Sequence, residues 1–421
     1  MTLISRSLAP VARHGLAEAV TALLLDPRRP GRGDLLAPVP SAVPSTEAPR
    51  AARPFAATGP TGLGTSAARP WARGGPVARP RGRAEEPAER PGGQQSRREA
   101  DKGPVRPVLY CPPAVRDDPA LGETVNDRLV AWAGETGIYP GRIDQVRAAD
   151  FGRLIMLAHP ETDDADRLLA AAKCALSEWA VDDHYLDGEA EEPHPELLGR
   201  RLALAHSVVD QAHLPVRHAP ELERVVRRDP VMVALRSALA NLATYATTTQ
   251  VQRLRHELAI MFVAYNQEAV WATTGRTPPV WEFLTHRHEN SFVPCMVLID
   301  AVAGYELPQA EFADPRVRRV FTLAGSASVI VNDLYSMAKE DPADFSLPRL
   351  IAAEEGCSPH EAVDRTVELH DELMHTYEAE AAALALTGSP QLRRFLAGVW
   401  AWLGGSREWH AGTARYAATA A

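Results

Sequence analysis

The most constraining feature of the chain is a helical periodicity that repeats through residues 109–421, where signals of β-strands are nearly absent. Apolar residues recur there at three- and four-residue spacings, which place them on one face of an α-helix. The predicted helices are 124–136, 143–157, 163–187, 195–211, 220–227, 230–247, 250–273, 278–303 with a break near Pro294, 315–340, 358–387 and 390–416. A series of helices without a sheet predicts an all-α bundle formed by a single domain.

Residues 1–108 differ sharply from that body. They hold 16 of the 35 prolines and 12 of the 28 glycines and carry a net charge of +8, whereas the remainder carries −17. A tract so rich in Pro, Gly, Ala and Arg buries too little apolar surface to offset the entropy of ordering the chain. We therefore predict a disordered extension over residues 1–108, in which Leu16–Leu25 forms a short helix, and a folded domain over residues 109–421.

Composition argues against several classes of protein. No segment has the roughly 18 uninterrupted apolar residues of a transmembrane helix. The stretch Leu16–Leu25 is too short, and too interrupted by Glu18, to predict a signal peptide. The acidic body argues against nucleic acid as a partner. The cysteines are scattered without paired spacing, which predicts reduced thiols in a cytoplasmic protein: Cys111, Cys174, Cys295 and Cys357.

Three oxygen-bearing side chains stand four residues apart near the end of the predicted helix 315–340. Asn332, Ser336 and Glu340 would stack on one face of that helix, about 6 Å apart along its axis. Amide, hydroxyl and carboxylate oxygens are ligands that a hard cation such as Mg²⁺ prefers. The preceding run, residues 321–331, is almost wholly apolar or small, so polar groups directly after it are costly unless they are used.

A second cluster of oxygens ends the predicted helix 163–187. Asp182, Asp183 and Asp187 follow the turn Trp179-Ala-Val, whose side chains are typical of a core. Adjacent carboxylates repel each other, so a cation is expected to balance them, although an isolated Asp-Asp pair is more often a solvated helix end. Two such helices facing each other would hold several Mg²⁺ ions, and with them a diphosphate.

Candidate anion-binding groups lie between and after these clusters. Arg287 precedes Pro294, which loosens helical hydrogen bonds one turn back, near Asn290. Near the C-terminus, Arg415 and Tyr416 combine a guanidinium with a phenol, a pair able to hold phosphate oxygens. A surface residue is an equal alternative for Arg287, and the pair of Arg415 and Tyr416 indicates little on its own.

Tryptophans are candidate walls of an apolar pocket, because aromatic ring faces attract a carbocation. Ordinary core packing is the alternative for each ring. The pocket candidates are Trp179, Trp271, Trp400 and Trp409.

In order and spacing these groups resemble the motifs of the bacterial class I terpene synthases. The motifs are an aspartate-rich cluster, a diphosphate-sensing arginine, an Asn-Asp-x-x-Ser-x-x-Lys-Glu run and a terminal Arg-Tyr pair. The resemblance covers residues 109–416. Two further segments make it specific to the 2-methylisoborneol synthase family: Leu-Tyr-Cys-Pro-Pro-Ala-Val from residue 109 and Phe-Gly-Arg-Leu-Ile-Met-Leu-Ala-His-Pro from residue 151. It implies a class I terpenoid synthase helical bundle that cyclises 2-methylgeranyl diphosphate, a methylated C11 precursor.

The resemblance also implies a role for each motif residue. The implied ligands of three Mg²⁺ ions are Asp182, Asp183, Asp187, Asn332, Ser336 and Glu340. The implied diphosphate-binding residues are Arg287, Lys339, Arg415 and Tyr416. The helix-break position that triggers ionisation falls on Asn290 and Ser291, where many members of the class have Asp or Gly.

Several alternatives remain open on the sequence. A chain-elongating prenyltransferase shares the fold, but it would carry a second Asp-rich motif in place of the Asn332 triad. Another monoterpene-type cyclase, such as a 2-methylenebornane synthase, would lose a proton in place of capturing water. A helical cargo protein with a degenerate site is the non-enzymatic alternative. The resemblance further implies an encapsulin shell as the partner of the N-terminal extension, and a homodimer is a candidate assembly.

Overall fold

The computed structural model describes residues 107–186, 194–337 and 344–416. All regular structure in these ranges is helical, which confirms the predicted all-α class. The helices are α1 (Pro119–Thr136), α2 (Ile143–Ala149), α3 (Phe151–Ala158), α4 (Ala165–Tyr185), α5 (Pro195–Val209), α6 (Ala219–Arg228), α7 (Pro230–Leu242), α8 (Thr248–Thr274), α9 (Val280–Glu289), α10 (Val293–Met296), α11 (Ile299–Val302), α12 (Gln309–Phe312), α13 (Pro315–Ser336), α14 (Leu347–Glu355), α15 (Pro359–Thr387) and α16 (Pro390–Gly412), with a 3₁₀ turn at Ala414–Tyr416. Within the same ranges, no helix is long and apolar enough to cross a membrane.

Helix boundaries differ from the predicted ones where the backbone turns sharply. The segment predicted as one helix at 143–157 forms two, α2 and α3, because Asp150 adopts a left-handed conformation with φ 55°. The Asp150 side chain then caps α3 by accepting a hydrogen bond from the Arg153 amide at 3.3 Å. The segment 278–303 divides into α9, α10 and α11, and Pro294 in the first turn of α10 lacks the N–H that a continuous helix would use. The short helices α12 and α14 have no predicted counterpart.

Two long helices, α4 and α13, carry the oxygen clusters into the interior. Each begins at an aspartate cap: Asp164 accepts from the Asp166 amide at 2.9 Å, and Asp314 accepts from the Arg316 amide at 2.8 Å. Helix α4 packs against α1, α3 and α7, while α13 packs against α15 and α16. Because both helices are largely buried along their length, their polar C-terminal turns end inside the bundle and not at its surface.

Helix α16 approaches its neighbours closely enough to require glycine. A Cβ atom on Gly405 would lie 2.5 Å from the backbone carbonyl carbon of Leu157 in α3, and one on Gly404 would lie 2.5 Å from the carbonyl oxygen of Pro113. Neither backbone atom can move as a flexible side chain would. This close packing fixes the end of α16, and the 3₁₀ turn Ala414–Tyr416 follows directly from it.

Candidate active site

A cavity of about 310 Å³ is lined by α4, α8, α13, the break between α9 and α10, and the 3₁₀ turn at the end of the described chain. Groups more than 200 residues apart in sequence therefore meet at one place. The sequence-predicted site residues that line this cavity are Trp179, Asp182, Arg287, Asn290, Ser291, Asn332, Ser336, Arg415 and Tyr416. The predicted site residues Asp187, Lys339 and Glu340 lie outside the described residues.

At the end of α4, two adjacent aspartates face different surroundings. Asp182 lines the cavity, whereas Asp183 is only 1% exposed and is held by neighbours. The Tyr139 hydroxyl donates to Asp183 Oδ2 at 2.5 Å, and Arg415 Nη2 donates to Asp183 Oδ1 at 2.9 Å. Asp183 therefore serves in this arrangement to hold Arg415, and Asp182 is the carboxylate of the pair that faces the open space.

The end of α13 has the same arrangement, a polar residue on the cavity followed by a buried aspartate, but here the polar residue is neutral. Asn332 and Ser336 line the cavity, and the buried Asp333 between them forms an ion pair with Arg287. The amide nitrogen of Asn332 donates to the Tyr416 hydroxyl at 2.9 Å, which leaves its amide oxygen as the ligand atom for a cation. The Tyr416 ring in turn stacks on His410, with ring centroids 5.2 Å apart.

Burial perturbs the acid that faces the cavity at the end of α4. Desolvation raises the pKa of Asp182 well above its usual range, and the neighbouring charges of Asp183 and Glu268 raise it further. Arg287 and Arg415 act in the opposite direction on the same carboxyl. A buried carboxylate with this balance gains strongly from a bound cation.

The oxygen atoms at the two helix ends fit a hard cation better than zinc. The ligand candidates are a carboxylate, an amide oxygen and a hydroxyl, and such groups suit Mg²⁺. No group of three His, Cys, Asp or Glu side chains is placed to hold a metal ion among the residues that the structure describes. A site on this cavity therefore depends on the amide and hydroxyl of Asn332 and Ser336 as well as on carboxylates.

Aromatic rings form part of the cavity wall, but only some are the predicted ones. Trp179 lines the cavity and contacts Phe292, with ring centroids 5.4 Å apart. Trp409 lies behind this pair: it packs edge-on against Trp179 and Tyr416, and its indole nitrogen donates to the Ala149 carbonyl at 2.9 Å. Trp409 therefore supports the wall without lining the cavity.

The other two predicted rings, Trp271 and Trp400, do not reach the cavity. Trp271 belongs to a separate apolar cluster with Phe283 and Leu347, because its face of α8 is covered by α9 and α14. Trp400 stacks on Tyr377 in the core between α15 and α16. Both follow the core-packing alternative that the sequence left open.

Several cavity residues escaped the sequence analysis. Glu178 and Glu268 are two of the three carboxyl groups missed, and Glu268 Oε2 lies 3.1 Å from His286 Nε2. Glu178 precedes Asp182 by one helical turn, so its spacing on α4 was a usable signal. The remaining missed residues carry no motif that could have found them: Met261, Tyr265, Phe292, Val329, Asp344 and Phe345.

Comparison with known proteins identifies the class that this fold and cavity define. The family described as terpene synthase family 2, C-terminal metal binding, matches residues 173–376, which include both α4 and α13 ends. The helical bundle with its polar cavity is accordingly that of a class I terpene synthase. In a crystal structure of 2-methylisoborneol synthase from Streptomyces coelicolor with Mg²⁺ and 2-fluoroneryl diphosphate, 99% of that chain aligns with 76% of this one, at 38% identity and a TM-score of 0.71.

Curated relatives narrow the class. A 2-methylisoborneol synthase from Streptomyces ambofaciens is 39% identical over 76% of this chain and 73% of its own length. Another, from Saccharopolyspora erythraea, is 37% identical over 74% of this chain and 90% of its own length. The chain therefore belongs to the 2-methylisoborneol synthases, a family of class I terpene cyclases.

Proposed function

We propose that the chain catalyses the Mg²⁺-dependent ionisation and cyclisation of 2-methylgeranyl diphosphate to 2-methylisoborneol and diphosphate. The observation that carries this proposal is the convergence on one cavity of oxygen ligands from α4 and α13 with two arginines and a tyrosine. The complex of the Streptomyces coelicolor relative with Mg²⁺ and 2-fluoroneryl diphosphate supports both the metal and the class of substrate.

The proposed metal ligands lie on both sides of the cavity. Asp182 would hold two Mg²⁺ ions, with Asp183 and Asp187 as further candidates, and Asn332, Ser336 and Glu340 would hold a third. Bound Mg²⁺ would stabilise the negative charge that develops on the diphosphate as its C–O bond breaks.

The basic residues complete the diphosphate site. Arg287 and Arg415 line the cavity and are held in place by buried aspartates, so their guanidinium groups are oriented before substrate arrives. Tyr416 offers a hydroxyl beside Asn332. We propose that these three groups, together with Lys339, donate hydrogen bonds to diphosphate oxygens and favour departure of the leaving group.

The cavity wall then controls the fate of the allylic cation. Trp179 and Phe292 present aromatic rings, which stabilise positive charge, and Met261 and Val329 exclude bulk water. Enclosed in this way, the cation isomerises, closes to a terpinyl-type ion and then to a tertiary bornyl-type ion. Addition of water and loss of a proton give the tertiary alcohol.

The test is incubation of the purified full-length chain with geranyl, 2-methylgeranyl and farnesyl diphosphates, each with and without Mg²⁺. Products are analysed by gas chromatography with mass spectrometry. We expect 2-methylisoborneol as the main product, from 2-methylgeranyl diphosphate and only with Mg²⁺. A main product of 2-methylenebornane would favour the alternative cyclase, and preferred turnover of a C10 or C15 diphosphate would overturn the proposed substrate.

A further inference from the structure

Glu178 is a buried carboxyl group on the cavity wall that the diphosphate chemistry leaves without a role. It lines the cavity, its residue is only 5% exposed, and it precedes Asp182 by one turn of α4. Four residues correspond to about 6 Å along a helix, so Glu178 lies that much deeper than the metal-facing aspartate. It is therefore beside the hydrocarbon part of the cavity, next to Trp179.

The two oxygens of Glu178 have different surroundings. Oε2 accepts a hydrogen bond from the Cys295 thiol of α10 at 3.0 Å. Oε1 is buried and has no hydrogen-bond partner among the described residues. A buried polar atom without a partner costs on the order of 1–3 kcal/mol, and ordered water is the usual partner at such places. The carboxyl group is thus hydrogen-bonded through Oε2 and unsatisfied at Oε1, the oxygen that would gain from a water molecule.

Taking the proposed function as its basis, we propose that Glu178 holds the water molecule that captures the final cation and accepts the proton that this water loses. A lone pair of the water oxygen forms the C–O bond to the tertiary cation. One O–H bond of the resulting oxonium ion breaks, and its proton passes to Glu178 Oε1, leaving a neutral carboxyl group and the tertiary alcohol. Without this base, the cation would lose a proton from a neighbouring carbon to the diphosphate leaving group and give an alkene.

The chemistry of the surroundings suits this role. Burial raises the pKa of Glu178 to about 8, and the Cys295 hydrogen bond lowers it. With a pKa of about 8, Glu178 is a carboxylate above that pH, and it is then a stronger base than an ordinary carboxylate. The other titratable groups nearest to it are Cys295 of α10 and Cys174 of α4, and burial raises the pKa of both thiols, so neither competes as a base. The charged residues of the same cavity are Asp182, Glu268, Arg287, Asp344 and Arg415.

The experiment measures how the cation partitions between alcohol and alkene in Glu178→Gln and Glu178→Leu variants of the full-length chain. Diphosphate release reports ionisation, which these variants leave within about threefold of wild type if Asp182 and the arginines are intact. We expect the alcohol-to-alkene ratio to fall at least about tenfold, since general bases contribute about that much or more. The matched control is Glu257→Gln, which removes a buried carboxyl group that pairs with Arg318 away from this cavity.

The pH profile of the product ratio separates a base from a merely structural residue. In wild type the alcohol-to-alkene ratio should rise as pH increases through about 8, whereas in Glu178→Gln it should stay flat. An unchanged ratio in both variants, with diphosphate still released, would overturn the proposal. Should the variants fail to fold, Cys295→Ala serves instead: loss of its hydrogen bond should move the wild-type profile to higher pH, and an unmoved profile would also overturn the proposal.

Failure of this inference is distinguishable from failure of the proposed function. The wild-type product from 2-methylgeranyl diphosphate tests the function, whereas the partition ratio of the variants tests Glu178 alone.

Discussion

The ends of α4 and α13 face the same cavity with one shared design. In each, a polar residue faces the cavity and the next residue, a buried aspartate, turns away to hold an arginine that also lines the cavity. The two pairs are Asp183 with Arg415 and Asp333 with Arg287. Each helix thus supplies a candidate ligand and, through the next residue, orients an arginine that is carried by a different segment of the chain.

The two helix ends differ in charge. On α4 the candidate ligand that faces the cavity is Asp182, and the deeper turn adds a second carboxyl group, Glu178. On α13 the candidate ligands among the described residues, Asn332 and Ser336, are neutral, and the deeper turn presents Val329. The acidic side attracts cations by itself, whereas the neutral side gains a cation mainly when another anion, the diphosphate, is present. The predictions below test this difference.

Removal of the metal should have the largest effect, because both helix ends depend on it. Excess chelator should abolish turnover, and Mg²⁺ or Mn²⁺ should restore it; zinc should not be needed, since the candidate ligands are oxygens. Turnover is measured as diphosphate release and as product formation. Full turnover in excess chelator would contradict the role proposed for both helix ends.

Replacement of single ligands should lower turnover by about 10²–10³, the usual cost of losing a transition-state contact. Asp182→Asn should also weaken Mg²⁺ binding without substrate, whereas Asn332→Ala should weaken it only with diphosphate present. Glu340→Ala is expected to resemble Asn332→Ala. Calorimetry with Mg²⁺, with and without diphosphate, measures the difference, and Asp364→Asn on the exposed side of α15 is the control.

Equal Mg²⁺ affinity of both variants under both conditions would remove the distinction between an acidic and a neutral helix end. Retained turnover in a folded Asn332→Ala variant would remove the metal role of α13 altogether.

The polar rim of the cavity could be predicted from sequence, while most of its wall could not. Asp182, Asn332 and Ser336 are recognisable because a metal site needs oxygen atoms at helical spacing, and that requirement is written into the sequence. The wall needs only apolar side chains, and every core residue satisfies that requirement. The sequence therefore does not distinguish Trp271 and Trp400 from Trp179. Only the packing of α8 on α9 and of α15 on α16 shows that the first two rings lie in the core.

The positions at which helices break were also only partly predictable from the sequence. The sequence predicts the long helices from their periodicity, but the left-handed turn at Asp150 depends on tertiary context, because most Asp residues do not adopt it. Four further statements stay predictions: the disorder of residues 1–108, the domain boundary at residue 109, the encapsulin shell as a partner and the homodimer.

Replacement of the buried aspartates should affect stability and substrate binding more than the chemical step. Asp333→Asn leaves Arg287 without its buried counter-charge, so the free energy of unfolding should fall by about 3 kcal/mol and KM should rise about tenfold. Asp183→Asn should act likewise through Arg415. Urea unfolding and steady-state kinetics measure both effects.

On α4, a variant that keeps the charge of Asp183 should have a smaller effect on stability. Tyr139→Phe removes one hydrogen bond to Asp183 and should cost only about 1 kcal/mol. Unchanged KM in both aspartate variants would show that the arginines need no such support.

A smaller effect than the loss of either buried aspartate comes from the deeper turn of α4, where Glu178 has no titratable counterpart on α13. Its pKa is about 8 in the folded protein, against an ordinary value of 4.5. Between these pH values the folded state binds the proton more tightly than the unfolded state, so this contribution is full below pH 4.5 and is lost as pH rises through 8. From pH 6 to pH 8 the loss should be about 2 kcal/mol in wild type and absent in Glu178→Gln. Urea unfolding in chelator, without metal, measures the difference between the two proteins at each pH. Parallel pH profiles would show that Glu178 titrates alike in both states, and the acidic character of α4 would then end at Asp182.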